Sequence, residues 1–347
     1  MAPPLEPLDK ADREITRYLE NNSTEFRELC EVRRKGWENE AGDKHFQRQR
    51  YQADNTTEKS QKFFYNMMQS IATELQKSAG GCFTMKKLPH EQRIILDMCA
   101  GPGGFLQAAL TFNRGSQAIA FSLPEDNGGH RMRLPEKAPV TTQYCDVTMF
   151  AADMGVDIIP KSHPDYDKFL GRQLDENQQF GLVLCDGQVR RTQERAAYRE
   201  HRETRRLFAT QIALGLEHAA PRGTMIVLMH KVEIWPMLSL IYQFYQFADV
   251  KLHKPFKSHA TRSSYYLIAR NIQTEHPGVR ALIDEMKLIW RVATFGTDEE
   301  YEETVRGDGT LATAVLERFG KTLIRLAGPV WKTQKEALEK SSFVRGA

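Results

Sequence analysis

Leu96-Asp-Met-Cys-Ala-Gly-Pro-Gly-Gly-Phe105 is the stretch whose reading decides the fold. The apolar run Ile94–Met98 reads as a buried strand. It breaks into a loop holding three glycines and a proline, and Phe105-Leu-Gln-Ala-Ala-Leu110 then resumes as a helix. A strand, a glycine-rich turn and a helix N-terminus form a nucleotide-binding corner of an α/β sheet. Glycine lets backbone approach a ligand because no Cβ intervenes. The spacing is not the Gly-x-Gly-x-x-Gly dinucleotide fingerprint, and no Gly-Lys-Ser/Thr follows, which excludes a P-loop.

Outward from that corner the chain divides into three regions. Residues 1–55 are polar and helical in composition. Residues 56–272 alternate strand-like and helix-like segments, which predicts a mostly parallel sheet. The expected strands are 94–98, 118–123, 140–144, 181–185, 225–230, 248–253 and 265–269. Residues 273–347 contain no strand pattern; Val279, Leu282, Ile283, Met286, Ile289, Trp290 and Ala293 instead trace one apolar helical face. In open α/β sheets ligands sit beyond the carboxyl ends of strands, so residues just after each strand are the functional candidates.

Composition narrows the setting. With 347 residues and 41% hydrophobic content the chain can build a sizeable core. No apolar run approaches membrane-spanning length, and the first ten residues lack a secretory apolar segment, so a cytoplasmic or nuclear location is expected. Five cysteines without a Cys-x-x-Cys pair suggest neither a disulfide framework nor a metal site. Cys99, Cys145 and Cys185 fall at strand ends, where small buried residues are common. The net charge of +3 leaves any nucleic-acid binding to a local basic face.

The string Asp97, Pro102, Gly103, Gly104, Phe105 resembles the first motif of S-adenosylmethionine-dependent methyltransferases of the FtsJ/RrmJ type, Asp-x-x-x-x-Pro-Gly-Gly-Phe/Trp. Its Cys-Ala-Gly-Pro-Gly-Gly-Phe spelling is most similar to the branch that methylates cap riboses. The resemblance spans about 56–272. It implies a Rossmann-like methyltransferase sheet of about seven strands, here with helical N- and C-terminal extensions, with S-adenosyl-L-methionine as cofactor and RNA as partner. It places Asp97, Ala100, Gly101, Pro102, Gly103, Gly104 and Phe105 at the cofactor. Asp146, after the third strand, is implied to meet the adenine, Ser122, after the second, the ribose, and Asp186 is implied to border the cofactor too.

The same resemblance implies a catalytic set. Asp186 closes the apolar strand Leu182-Val-Leu-Cys185, Lys231 closes Thr224-Met-Ile-Val-Leu-Met-His230, and Lys62, with Lys59 as second choice, precedes the glycine loop. A ribose 2′-hydroxyl needs its proton removed or polarised before it can attack. A lysine desolvated at a strand end has a lowered pKa and could accept that proton, with Asp186 supporting the charge. The family completes a Lys-Asp-Lys-Glu tetrad, but Ser264 stands where the glutamate is expected. Glu233 is a candidate substitute. The expected activity is therefore methyl transfer to an RNA ribose 2′-hydroxyl. A noncatalytic RNA-binding relative and a small-molecule O-methyltransferase are the alternatives.

Arg190, Arg191, Arg195, Arg199, Arg202, Arg205 and Arg206 follow Asp186 with Glu194, Glu200 and Glu203 interleaved. The run reads as a charged helix. Its arginines suit bidentate phosphate contact, and Arg190, Arg191, Arg195, Arg199 and Arg202 are the predicted RNA-binding residues, set against a salt-bridged surface as the plainer reading. A second basic-aromatic stretch runs from Arg33 through Trp37 and Phe46 to Tyr51, where rings and guanidinium groups could hold bases and phosphates.

Overall fold

The computed structural model describes residues 9–37, 39, 47, 57–190 and 193–345. Seven strands form one sheet in the order β3-β2-β1-β4-β5-β7-β6. They are β1 (Ile94–Asp97), β2 (Gln117–Ser122), β3 (Val140–Tyr144), β4 (Phe180–Cys185), β5 (Ala219–His230), β6 (Asp249–His253) and β7 (Ser264–Arg270). β1 to β5 are parallel to their neighbours, and β7 inserts antiparallel between β5 and β6. The strand order reverses direction between β1 and β4, and the crevice at such a switch point is where α/β sheets bind ligands.

Both faces of the sheet are covered, so the central strands are continuous apolar runs rather than alternating ones. Leu182, Leu184, Ile226, Tyr266 and Ile268 point to one side, with Ile71 and Leu75 of α3 (Glu58–Ser78) and Phe105 and Leu106 of α4 (Gly104–Phe112). Val183, Cys185, Met225, Val227, Tyr265 and Leu267 point to the other. That second core also takes in Ile15 and Leu19 of α1 (Lys10–Asn22) and Phe26 and Leu29 of α2 (Thr24–Trp37). It continues through α5 (Glu203–Glu217), α6 (Trp235–Phe247), α7 (Pro277–Phe295) and α9 (Gly309–Glu339), with α8 (Asp298–Val305) between α7 and α9. The terminal helices therefore share the core of the sheet; Phe26 and Trp331 rings lie 5.0 Å apart. Leu182, Val183 and Leu184 are fully buried, and each such side chain contributes about 1.5–3 kcal/mol.

The helix starts follow local chemistry. Thr57 and Ser60 cap α3 reciprocally, and Asp308 accepts from Thr310 N at the start of α9. Gly103 precedes α4 at φ +99°, left-handed backbone that favours glycine. β5 begins six residues before the expected strand. Pro221 and Gly223 read as a turn in the sequence but lie at a register shift against β4. Among the described residues no helix is long and apolar enough to cross a membrane.

Candidate active site

A cleft of about 400 Å³ opens at the carboxyl ends of β1 to β4. Gly101, Pro102, Ser122, Asp146 and Asp186 line it, as the sequence predicts; Asp97, Ala100, Gly103, Gly104 and Phe105 stand behind its wall. A Cβ on Gly101 would lie 2.7 Å from Ser122 Oγ and 3.0 Å from the His130 carbonyl. The bare backbone is what lets this loop, the segment after β2 and the cleft meet. Gly104 serves packing instead: a Cβ there would sit 2.2 Å from the Tyr65 carbonyl, so α3 and α4 could not cross this closely.

Asp186 leaves β4 into the cleft. Tyr266 of β7 donates its hydroxyl to Asp186 Oδ1 across 3.0 Å, and the Tyr266 ring stacks on Phe105, centroids 5.5 Å apart. Burial pushes the Asp186 carboxyl up to about 8; the Tyr266 bond opposes that shift, and the Asp97 charge adds to it. Asp97 lies beneath, 2% exposed, and accepts from the Cys99 amide at 3.2 Å. Burial raises it to about 7, against that hydrogen bond. Two neighbouring carboxyls thus hold protons more tightly than exposed ones.

At the other end, Asp146 follows β3. Its Oδ1 accepts from Thr148 N and Oγ1 at 3.0 and 2.7 Å, and its Oδ2 faces Gln193 Nε2 and Arg199 at 3.3 Å each. Arg199 also pairs with Asp165 and Glu203, and Glu203 with Arg206. This ionic cluster is buried beneath the cleft.

The arginine run is accordingly not the exposed helical face that the sequence suggests. The chain makes a short turn at Ala197–Arg199 before α5 starts at Glu203. Arg199, Arg202 and Arg206 are 2%, 3% and 0% exposed. Arg202 bonds the Gly296 carbonyl and pairs with Asp298, and Arg195 pairs with Glu200. Their carboxylate partners satisfy them internally. Arg190 does line the cleft, with Nη1 3.1 Å from His130 Nε2. Arg191, Phe46 and Tyr51 lie outside the described residues.

The two lysines are not brought to the cleft. α3 presents Phe64, Met67 and Met68 to it, and Lys62, two residues before Phe64, is about 200° round the helix and exposed. Lys59 is exposed as well. Lys231 follows the end of β5 in left-handed backbone (φ 54°) and is exposed, not desolvated as a strand-end lysine would be. Glu233 does not replace the missing glutamate. It is held by Arg33 of α2 at 2.6 Å, and Arg33 also bonds Gln334 Oε1 of α9 at 2.9 Å. Ser264 opens β7, 7% exposed, directly opposite His230.

Residues absent from the sequence reading complete the wall: Phe64, Met67, Met68, His130, Gln188, Val189, Gln193 and Leu207. The α3 members had a readable signal, since Phe64, Met67, Met68, Ile71 and Leu75 recur at helical spacing. Apolar thioether and aromatic faces, a close-approaching glycine backbone, a serine hydroxyl and carboxyls at both ends fit a nucleoside-bearing sulfonium cofactor in size and chemistry.

Comparison with known proteins agrees with this arrangement. A family model described as FtsJ-like methyltransferase matches residues 80–272. A search of curated proteins by sequence finds no match. Solved structures similar to this chain include a ribosomal RNA methyltransferase from Plasmodium falciparum (17% identity, 58% of this chain and 96% of that one, TM-score 0.37). Others are the N-methyltransferase NodS from Bradyrhizobium japonicum (10%, 59% and 96%, 0.36) and an rRNA methylase from Streptococcus thermophilus (9%, 55% and 92%, 0.30). Structural scores this low carry no argument beside the family match, which covers more than half of the sequence. On that match, and on a seven-stranded sheet with its cleft at the switch point, this chain belongs to the FtsJ-like methyltransferase family and is an S-adenosylmethionine-dependent methyltransferase.

Proposed function

We propose that the chain methylates a ribose 2′-hydroxyl of RNA. The observation that carries this reading is Asp186, a carboxyl fixed by Tyr266 at the cleft in the slot where the family keeps its catalytic aspartate. The bound cofactor supplies an electrophilic methyl group on sulfonium. The chain's own residues hold the two reactants: Gly101, Ser122 and Asp146 line one part of the cleft, and Asp186 with Gln188 the part where a substrate oxygen approaches. The fixed carboxyl orients a hydroxyl for in-line attack, and that positioning is a large part of what such a site contributes. Incubation with labelled S-adenosylmethionine and RNA, then alkaline hydrolysis, tests it. The label should appear in dinucleotides resistant to cleavage, because a blocked 2′-oxygen cannot attack the adjacent phosphate. Label confined to bases would refute the ribose assignment.

A second reading, a relative that binds cofactor and RNA without turnover, is favoured by Ser264 in the glutamate position and by Lys62 and Lys231 outside the cleft. Equal cofactor affinity with no transfer to any RNA fraction would support it.

A further inference from the structure

The register of the sheet identifies a group on the Asp186 face that neither lysine provides. Side chains alternate along a strand, so residues two apart share a face. Val227 pairs with Cys185, and Leu228 pairs with Tyr266, the residue that holds Asp186. Asp186, one residue beyond Cys185, therefore shares its face with Leu228 and, two residues on, with His230. His230 stands roughly 7 Å further along the strand direction, at about 3.3 Å per residue, over the outer lip of the cleft. Its Nε2 lies 2.5 Å from Nε2 of Gln188, a cleft-lining residue. An amide nitrogen only donates, so this ring nitrogen accepts, and the amide marks where an incoming O–H donor would sit.

We propose that His230, in place of the family's lysine, accepts the proton of the substrate hydroxyl. This rests on the ribose reading above. The hydroxyl proton passes to the imidazole Nε2 as a substrate hydroxyl displaces the Gln188 amide. The oxygen's electron pair forms the new O–C bond, and the pair of the broken C–S bond stays on sulfur, leaving a neutral thioether and an imidazolium. Burial lowers the His230 pKa to about 4, and Lys254, Arg262 and Lys231 push the same way, so the free ring is neutral and ready to accept at pH 7. His259 lies in the same basic surround, itself lowered to about 4. The absent glutamate is part of the same design. A carboxylate at position 264, cross-strand from His230, would stabilise the imidazolium and hold the ring charged.

The test uses the full chain and two readouts. In NMR titration, the His230 ring resonances should move with a midpoint well below 6, and they should shift when S-adenosylhomocysteine is added. Ser264→Glu should raise that midpoint by a unit or more. Resonances indifferent to S-adenosylhomocysteine would place His230 away from the cofactor face and overturn the proposal, whatever the substrate. In activity, His230→Ala should lose turnover about 100-fold or more, regain part of it with added imidazole, and bind S-adenosylhomocysteine like the parent. His230→Gln, which keeps a hydrogen-bonding side chain, should be as slow as the alanine variant. Near-parental turnover in both variants would refute the role of His230 while leaving the ribose product intact; an unlabelled ribose in the parent would instead refute the ribose reading.

Discussion

Tyr266 donates its hydroxyl to Asp186 across 3.0 Å, joining the antiparallel strand β7 to the loop that leaves β4. The bond fixes the carboxyl in a site that burial makes unfavourable for its charge. Asp186 titrates near 3.8 in an unfolded chain and near 8 in the folded one. Between those values the folded state keeps a proton that the unfolded state has released, so this group's contribution to stability falls as pH rises through the window.

Asp186→Asn should therefore raise the melting temperature at pH 8 and leave it nearly unchanged below pH 4. Asparagine keeps the Tyr266 acceptor and cannot ionise. Each kcal/mol recovered corresponds to about 2–4 °C for a protein of this size, and recovery of at least 1 kcal/mol is expected. Asp97 titrates in the same window and couples to Asp186, so the difference should develop gradually from pH 4 to pH 8. Calorimetric scans across that range check it; parallel curves for parent and variant would contradict the burial argument. Turnover should fall in the same protein, which would separate the functional cost of the carboxyl from its effect on folding.

The glycine loop yields a sharper contrast. Gly101→Ala places its Cβ against Ser122 Oγ and the His130 carbonyl at the cleft, so cofactor affinity should fall while the protein stays folded. Gly104→Ala drives a Cβ into the Tyr65 carbonyl between α3 and α4, so the loss should appear as instability. Calorimetric titration with S-adenosylhomocysteine, paired with thermal melts, distinguishes the two. Equal melting losses in both variants would show that Gly101 is a packing residue as well.

What could be read from the sequence was whatever a short window holds. Leu96–Phe105 shows its strand, loop and helix directly, and Asp186 shows itself as an acid ending an apolar run. The seven strands follow for the same reason. The arginines were not legible, because the groups that neutralise them lie far along the chain: Asp146 is 53 positions from Arg199, and Asp298 is 96 from Arg202. Nor was the contrast between His230 and Lys231 legible. Adjacent residues at a strand end are equivalent until the neighbouring strands set the register.

Arg199→Ala should destabilise the fold by about 3–5 kcal/mol, the usual consequence of leaving buried charges unpaired. Asp146, Asp165 and Glu203 would all lose a partner. Asp146 belongs to the cleft, so cofactor affinity should fall too, by about tenfold for each 1.4 kcal/mol of lost positioning. Denaturant unfolding and titration with S-adenosylhomocysteine measure the two effects. A stable variant with weakened RNA binding alone would return Arg199 to a phosphate-contact role.

Arg33 and Glu233 supply the last prediction, which concerns the terminal helices. Backbone and side-chain bonds close a circuit around the strand ends. Lys231 N donates to the Ser263 carbonyl at 3.2 Å, Gln334 Nε2 donates to the Thr261 carbonyl at 3.3 Å, and Arg33 joins Gln334 to Glu233. Both charged side chains of the pair are 13% exposed, and Glu233 Oε2 has no hydrogen-bond partner. Removing Arg33 leaves a mostly buried carboxylate uncompensated; removing both partners leaves none. Arg33→Ala and Glu233→Ala should each cost stability, and the double variant should cost less than their sum, with a coupling of about 1–3 kcal/mol. Hydrogen exchange at the Lys231 amide should quicken in Arg33→Ala, because the loop carrying Ser263 loses its anchor to α9. Additive losses with unchanged exchange at Lys231 would mean that α2 and α9 cover the sheet without bracing the ends of β5 and β7.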